Sequence, residues 1–229
     1  MKPKEFNALA NSLGLSWQSH HVLGTPFKMP PGGIKMPGAD TTKKFTPPPM
    51  RTLKENMQEL VDEVAEGGAH YLVCASIALG TADEIKESIA ILSKTGEACK
   101  KAGLTLCYHN HTHEFETVEG KVPYHELLTQ ISPDLLKMEL DLGWATNAGV
   151  DPVDLFSKHP GRFPLWHVKD MTKDTKQPTE VGSGYIDFKR IFERADTAGM
   201  KHYFVEQDGA PKPFENIATS YKNLTKILG

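Results

Sequence analysis

Short apolar runs that end in metal-ligand side chains alternate with helical stretches along most of this chain, and few folds accept that alternation. The run over residues 104–111 ends in Tyr108-His109-Asn110-His111. The run over 136–142 carries Asp141, that over 164–170 carries His167, and that over 202–207 carries Glu206. Strands alternating with helices build parallel βαβ units. A parallel sheet that curls into a barrel brings the carboxyl ends of its strands to one face. His109, Asp141, His167 and Glu206 are therefore expected to meet there, although they lie far apart in sequence. Mixed imidazole and carboxylate ligands suit a divalent metal such as Mn, Zn or Co, one per chain.

The remaining elements follow from apolar spacing and stop signals. Residues 3–14 read as a helix with Phe6, Leu9, Ala10 and Leu13 on one face and Gly14 at its end. Residues 15–22 read as a strand. A helix over 53–65 stops at Gly67-Gly68. The continuous apolar run 71–77 is what a strand buried on both faces requires. A long helix over 82–102 opens with Asp83 and Glu84 near its positive end and stops at Gly103. Helices are expected at 124–131, 152–158, 187–198 and 214–228, between the strands already named. The count is six strands, whereas a closed barrel has eight. The chain also opens on a helix where a strand should come first. The expectation is one α/β domain over 1–229, a TIM barrel lacking its first βα unit and second strand. Residues 24–50, with Pro30-Pro31 and Pro47-Pro48-Pro49, form a long loop that reads as a flap over the site or as a linker.

At 229 residues the chain is long enough for such a domain and its core. A net charge of −3 argues against a nucleic-acid partner. No apolar run approaches the length needed to span a bilayer, so no membrane partner is expected. Lys2 and Lys4 are not followed by the apolar segment of a signal peptide. The cytoplasm is the default location, with a periplasmic or secreted one open if a leader precedes the chain. Cys74, Cys99 and Cys107 lack metal-type spacing, and Cys74 and Cys107, inside expected strands, read as buried thiols. Unclosed strand edges must be covered, so a homo-oligomer is expected.

Side chains alternate along strands. His109 and His111 therefore share a face above Cys107, Asp141 shares one with Glu139, His167 with Lys169, and Glu206 with Phe204 and Asp208. A single register turns all four candidate ligands inward. Lys169 reads either as a cation holding a substrate oxygen or an enolate, or as a surface lysine paired to Asp170. One of His20 and His21 must face inward, and His20 is the candidate for holding a substrate hydroxyl, with a structural role as the alternative. His113, Glu114 and Glu116 sit in the loop after residue 111, above the site or simply solvated. Trp144 follows Asp141 and offers an apolar wall for a sugar ring; Trp17 and Trp166 read as packing. The glycine-rich stretch 181–188 could cradle a phosphate at the following helix N-terminus, but it lacks the nucleotide fingerprints and reads mainly as a tight turn with Asp187 as a helix N-cap.

Together, Tyr108-His109-Asn110-His111 with Glu114-Phe115, then the stretches 139–144, 160–170, 181–188 and 202–208, resemble the sugar phosphate isomerase/epimerase family. That family has the xylose isomerase-like TIM barrel (AP endonuclease family 2) and kinship to the endonuclease IV type. The resemblance runs over nearly the whole chain and is dense from Gly103 to Asp208. It implies a divalent metal held by Asp141, His167 and Glu206, with a fourth ligand from the strand of His109. Many members carry a glutamate in place of His109 that is both ligand and base. The second proton acceptor of a two-base epimerase would here fall to His109, His111 or Glu114.

The expected activity is a metal-dependent sugar isomerase or epimerase acting on a sugar or keto-sugar. Proton abstraction next to a carbonyl by Glu206 or a histidine would give a metal-stabilised enediolate. Glu206, His109 and Lys169 are the candidate catalytic groups; His20, His111, Glu114, Trp144 and Lys169 are the candidate substrate contacts. With a leaving group β to the carbanion, the same site makes a lyase or dehydratase of a keto-sugar or keto-glycoside. A non-catalytic partial barrel that binds a partner or sugar is the reading from outside the enzymes. The negative charge and the shortage of further ligands weigh against DNA repair chemistry.

Overall fold

The structure, a computed structural model, describes residues 1–26 and 50–229, so most of the proline-rich stretch read as a flap lies outside the described residues. The chain opens with α1 (Pro3–Ser12), β1 (Ser19–Leu23), α2 (Leu53–Gly67), β2 (Tyr71–Ser76), α3 (Ala82–Lys101) and β3 (Thr105–His109). It continues through α4 (Pro123–Gln130), β4 (Lys137–Asp141), α5 (Leu142–Asn147), α6 (Pro152–Lys158) and β5 (Leu165–Val168). A two-residue hairpin, β6 (Asp170–Met171) with β7 (Pro178–Thr179), precedes α7 (Phe188–Phe192), α8 (Ala195–Ala198), β8 (His202–Val205) and α9 (Pro213–Leu228). Six strands form one parallel sheet in the order β1-β2-β3-β4-β5-β8. This is an open part of a β/α barrel, six strands of the eight that closure takes.

The sheet has two apolar faces because helices cover one and its own curl encloses the other. Leu72, Cys74, Leu106, Tyr108, Met138, Leu140, Trp166 and Val168 point outward into one core shared with the helices. Val73, Cys107 and Leu165 point inward and form a smaller cluster with Tyr71 and Phe204. The curl is tight enough for Tyr71 on β2 to meet His202 on β8, with ring centroids 5.9 Å apart. In the outer core, Trp166 stacks on Phe156 at 5.0 Å and 3°. Among the described residues, no further strand pairs with the outer edges of β1 and β8. The helices beside them, α1 and α9, expose Phe6, Leu9, Leu13, Phe214, Ile217 and Tyr221.

Several boundaries differ from the sequence reading for physical reasons. β1 starts at Ser19 rather than residue 15. The preceding segment is held by side-chain and turn bonds instead, with the Trp17 indole donating to the Ser19 carbonyl and His70 and Tyr71 N–H donating to the Gln18 carbonyl. The helix expected over 187–198 breaks into α7 and α8 at Arg194, which has φ −108° and ψ 10°. Gly68, at φ +83°, ends α2 as its left-handed cap.

Gly96 shows how closely the helix layer sits on the sheet. A Cβ there would lie 2.2 Å from the Leu135 carbonyl oxygen in the connection entering β4. In an exposed helix, Gly→Ala adds about 1 kcal/mol of stability. Here Gly96→Ala is expected to cost about 1–3 kcal/mol, because α3 must shift to relieve the overlap. Urea unfolding of the two proteins checks the sign.

Candidate metal centre

The period of two along each strand, combined with the sheet's registers, decides what meets at the barrel mouth. His109 pairs with Glu139 across β3 and β4, and Asp141 pairs with His167 across β4 and β5. Glu206 follows β8 directly, its N–H donating to the Val168 carbonyl. His109, Asp141, His167 and Glu206 each offer one ligand atom, and those atoms all lie within 4.8 Å of one another. His109 Nε2 is 3.6 Å from Asp141 Oδ2, and His167 Nδ1 is 2.5 Å from Glu206 Oε2 and 3.9 Å from Asp141 Oδ2. Asp141 is fully buried, His109 and His167 nearly so. Both ring nitrogens of His109 are buried without a hydrogen-bond partner. Buried polar atoms ordinarily have partners. Unpartnered imidazole nitrogens among convergent carboxylates fit a divalent ion.

The charge balance points the same way. Lys169, almost entirely buried, sits 3.0 Å from Asp141 Oδ2, 3.1 Å from Glu206 Oε2 and 2.7 Å from Asp208 Oδ2. Burial works against its charge, but these carboxylates outweigh burial and raise its pKa. Burial also opposes charge on His167, yet hydrogen bonds to Glu139 and Glu206 lift its pKa to about 10. Burial would favour protonated Glu139, but His167 and His21 bring it down to about 2. The Glu206 carboxyl is held well below the usual range, chiefly by its bond to His167. Burial holds His109 below its ordinary value, which favours the neutral imidazole that binding a metal requires. The His167 proton thus neutralises the carboxylates where a divalent cation would, and metal loading would displace it.

The structure corrects two expected substrate contacts. His20 lies on the helix side of β1, its ring edge-on to Trp17 at 5.6 Å. The pairing of His21 with Val73, an inner residue, turns His21 into the barrel instead. Glu114 is fully buried beneath its loop, where Oε1 accepts from the Tyr108 hydroxyl at 2.9 Å and Oε2 from His111 N–H at 2.8 Å. It anchors the loop and presents no carboxylate surface to a ligand. His111 stays at the mouth, its ring 4.8 Å from that of His109. Trp144 packs beside it, with Lys169 Nζ 4.7 Å from its ring centre. Lys169 therefore is not a surface partner of Asp170.

Asp170 has another task. Its carboxylate accepts from the N–H groups of Gly182 and Gly184 at 2.8 and 2.9 Å, and from Met171 and Ile186. A Cβ on Gly184 would fall 2.2 Å from Asp170 Oδ1. The glycine-rich stretch is a turn wrapped on a carboxylate, so these amides are already taken and no longer offer a phosphate cradle. Asp187 caps α7 by accepting from Arg190 N–H at 3.1 Å.

Glu139 and His21 are the site groups that the candidate list lacked. Glu139, fully buried, accepts from His21 Nε2 at 2.5 Å and lies 3.3 Å from His167 Nε2. Its position two residues before Asp141 was the available signal.

A family model described as a xylose isomerase-like TIM barrel matches residues 3–226. An inosose dehydratase of Lacticaseibacillus casei is 26% identical over 169 residues, covering 65% of this chain and 56% of that protein. The chain thus spans little more than half the length of the curated relative. A crystal structure described as a sugar phosphate isomerase/epimerase, from Parabacteroides distasonis ATCC 8503, superposes with a TM-score of 0.75 at 28% identity. That match covers 98% of this chain and 75% of the other. The fold is also that of the IOLI protein, whose structure holds a zinc atom, at a TM-score of 0.59 and 18% identity over 75% of this chain and 67% of that one.

Proposed function

The chain belongs to the xylose isomerase-like TIM barrel family, and from that premise we propose that it is a divalent-metal enzyme that enolises a keto-sugar or keto-cyclitol. One observation carries the reading. Four candidate ligand side chains at the ends of four different strands converge at the carboxyl end of the sheet, with a buried lysine among them. His109, Asp141, His167 and Glu206 would hold the ion. When bound, Mn, Zn or Co supplies a Lewis acid that draws electron density from the substrate carbonyl.

The chain's own residues do the rest. Glu206 is ionised and partly exposed, so it accepts the proton from the carbon next to the carbonyl. Lys169 stays charged at neutral pH and donates to the oxygen on which negative charge develops. Trp144 and His111 wall the mouth and orient the ring. If a hydroxyl sits β to the new carbanion, Glu206 returns its proton to that hydroxyl, which departs as water. The outcome is then dehydration, as in the inosose dehydratases that the chain resembles. Among the described residues, Glu206 is the one ionised carboxylate that is both exposed at the mouth and in the candidate ligand cluster, which favours elimination over two-base epimerisation. Isomerisation or epimerisation is the second reading, favoured by the Parabacteroides structure. The strand edges left unpaired among the described residues and the exposed faces of α1 and α9 support self-association.

The test loads the protein with Mn(II), Co(II) or Zn(II) and incubates it with inosose in D2O. Metal-dependent deuterium uptake next to the carbonyl, with a dehydrated diketone accumulating, is the expected result. Uptake without dehydration would select the isomerase reading. No uptake from inosose or from a panel of keto-sugars, with any metal, would overturn the proposal.

A further inference from the structure

Beside the four convergent ligands, His21 is held by a carboxylate that nothing in the mechanism above uses. Its Nε2 lies 2.5 Å from Glu139 Oε2. Glu139 has no exposed surface, whereas the His21 side chain is 39% exposed. Its ring stacks on that of His167 at 5.4 Å and 9°, and lies 5.4 Å from the ring of His109. His21 therefore borders the convergent ligands on the side of the sheet's open edge, close enough to touch anything bound among them. A carboxylate only accepts, so Nε2 of His21 must carry the proton in this pair. In the neutral ring that leaves Nδ1 as an acceptor, and the ring's bond to a described residue is made through Nε2, not Nδ1.

We infer that His21 is a substrate-anchoring residue whose Nδ1 accepts a hydrogen bond from one hydroxyl of the bound polyol ketone, with Glu139 setting its tautomer. The inference rests on the polyol-ketone reading of the site and deepens it. It assigns recognition of a specific hydroxyl to β1, the strand at the sheet's open edge. Sites built to hydrogen-bond a hydroxyl discriminate strongly against analogues lacking it.

The experiment uses two variants of the metal-loaded chain, with inosose and its monodeoxy analogues as probes. In His21→Gln the amide nitrogen reproduces the Nε2 donor to Glu139 but nothing replaces Nδ1. In His21→Asn the amide oxygen falls near the Nδ1 position. Wild type is expected to bind one deoxy analogue at least about tenfold more weakly than inosose. His21→Gln should lose that discrimination, binding both equally weakly, while His21→Asn retains part of it. Mn(II) affinity and melting temperature of His21→Gln should stay near wild type, which separates lost anchoring from a damaged centre. Undiminished discrimination in His21→Gln would overturn the inference while leaving the functional reading intact. Failure of metal-loaded wild type to bind inosose at all would overturn both.

Discussion

Asp141→Ala is expected to weaken Mn(II) or Zn(II) binding by more than about 100-fold, beyond the effect of losing a group that only supports a ligand. Asp141 has two jobs, and its two oxygens divide them. Oδ2 faces His109 and His167 in the convergent cluster. Oδ1 accepts from Trp144 N–H at 2.8 Å and caps α5. Alanine removes both functions, so stability should also fall by about 1 kcal/mol from the lost cap. Asp141→Asn separates them. Its side-chain oxygen can keep the cap while the anionic ligand is gone, so the cap's share of stability should be retained, the buried pairing with Lys169 is lost, and metal affinity should still collapse. Calorimetric metal titration alongside thermal melts reads both. Full metal affinity in Asp141→Asn would remove Asp141 from the centre.

Lys169→Met should separate metal binding from catalysis in the opposite sense. The ammonium lies within about 3 Å of three carboxylates and is buried with them. Removing it takes away a positive charge that competes with a divalent cation, so metal affinity should rise or hold. In the proposed mechanism the same ammonium stabilises the oxygen on which charge develops, and losing one such donor costs about 10²–10³ in kcat. The metal-free variant should be less stable by about 3 kcal/mol, because the fully buried Asp141 loses its cation, whereas Asp208 and Glu206 are partly exposed and Glu206 keeps His167. Metal loading should recover part of that loss. A variant with unchanged kcat would assign Lys169 to structure alone.

The sequence made the convergence of the four candidate ligands readable because strand alternation is strictly two-residue and each of them lies at or next to the carboxyl end of a strand. Its limit is visible at β1. His20 and His21 are adjacent histidines on a strand whose start was misplaced by four residues, and local pattern has no means of choosing between them. The choice is made by pairing with β2, where His21 stands opposite Val73. Glu114 illustrates a different limit. A loop glutamate near a site looks available, but a tyrosine on the outer face of β3 and a backbone amide claim its oxygens. Asp170 is similar: nothing in its neighbourhood announces that it will collect the amides of a glycine turn more than ten residues on. The break between α7 and α8 and the β6–β7 hairpin likewise depend on tertiary contacts that local propensity does not encode.

The most direct test of the account is the metal content of the purified, unaltered chain, measured by elemental analysis after reloading with Mn(II), Zn(II) or Co(II) and removal of excess ion. The account predicts about one tightly held ion per chain, absent from Asp141→Asn and from His167→Ala prepared in the same way. A chain that retains no ion with any of the three metals, while correctly folded by melting and spectroscopy, would contradict it.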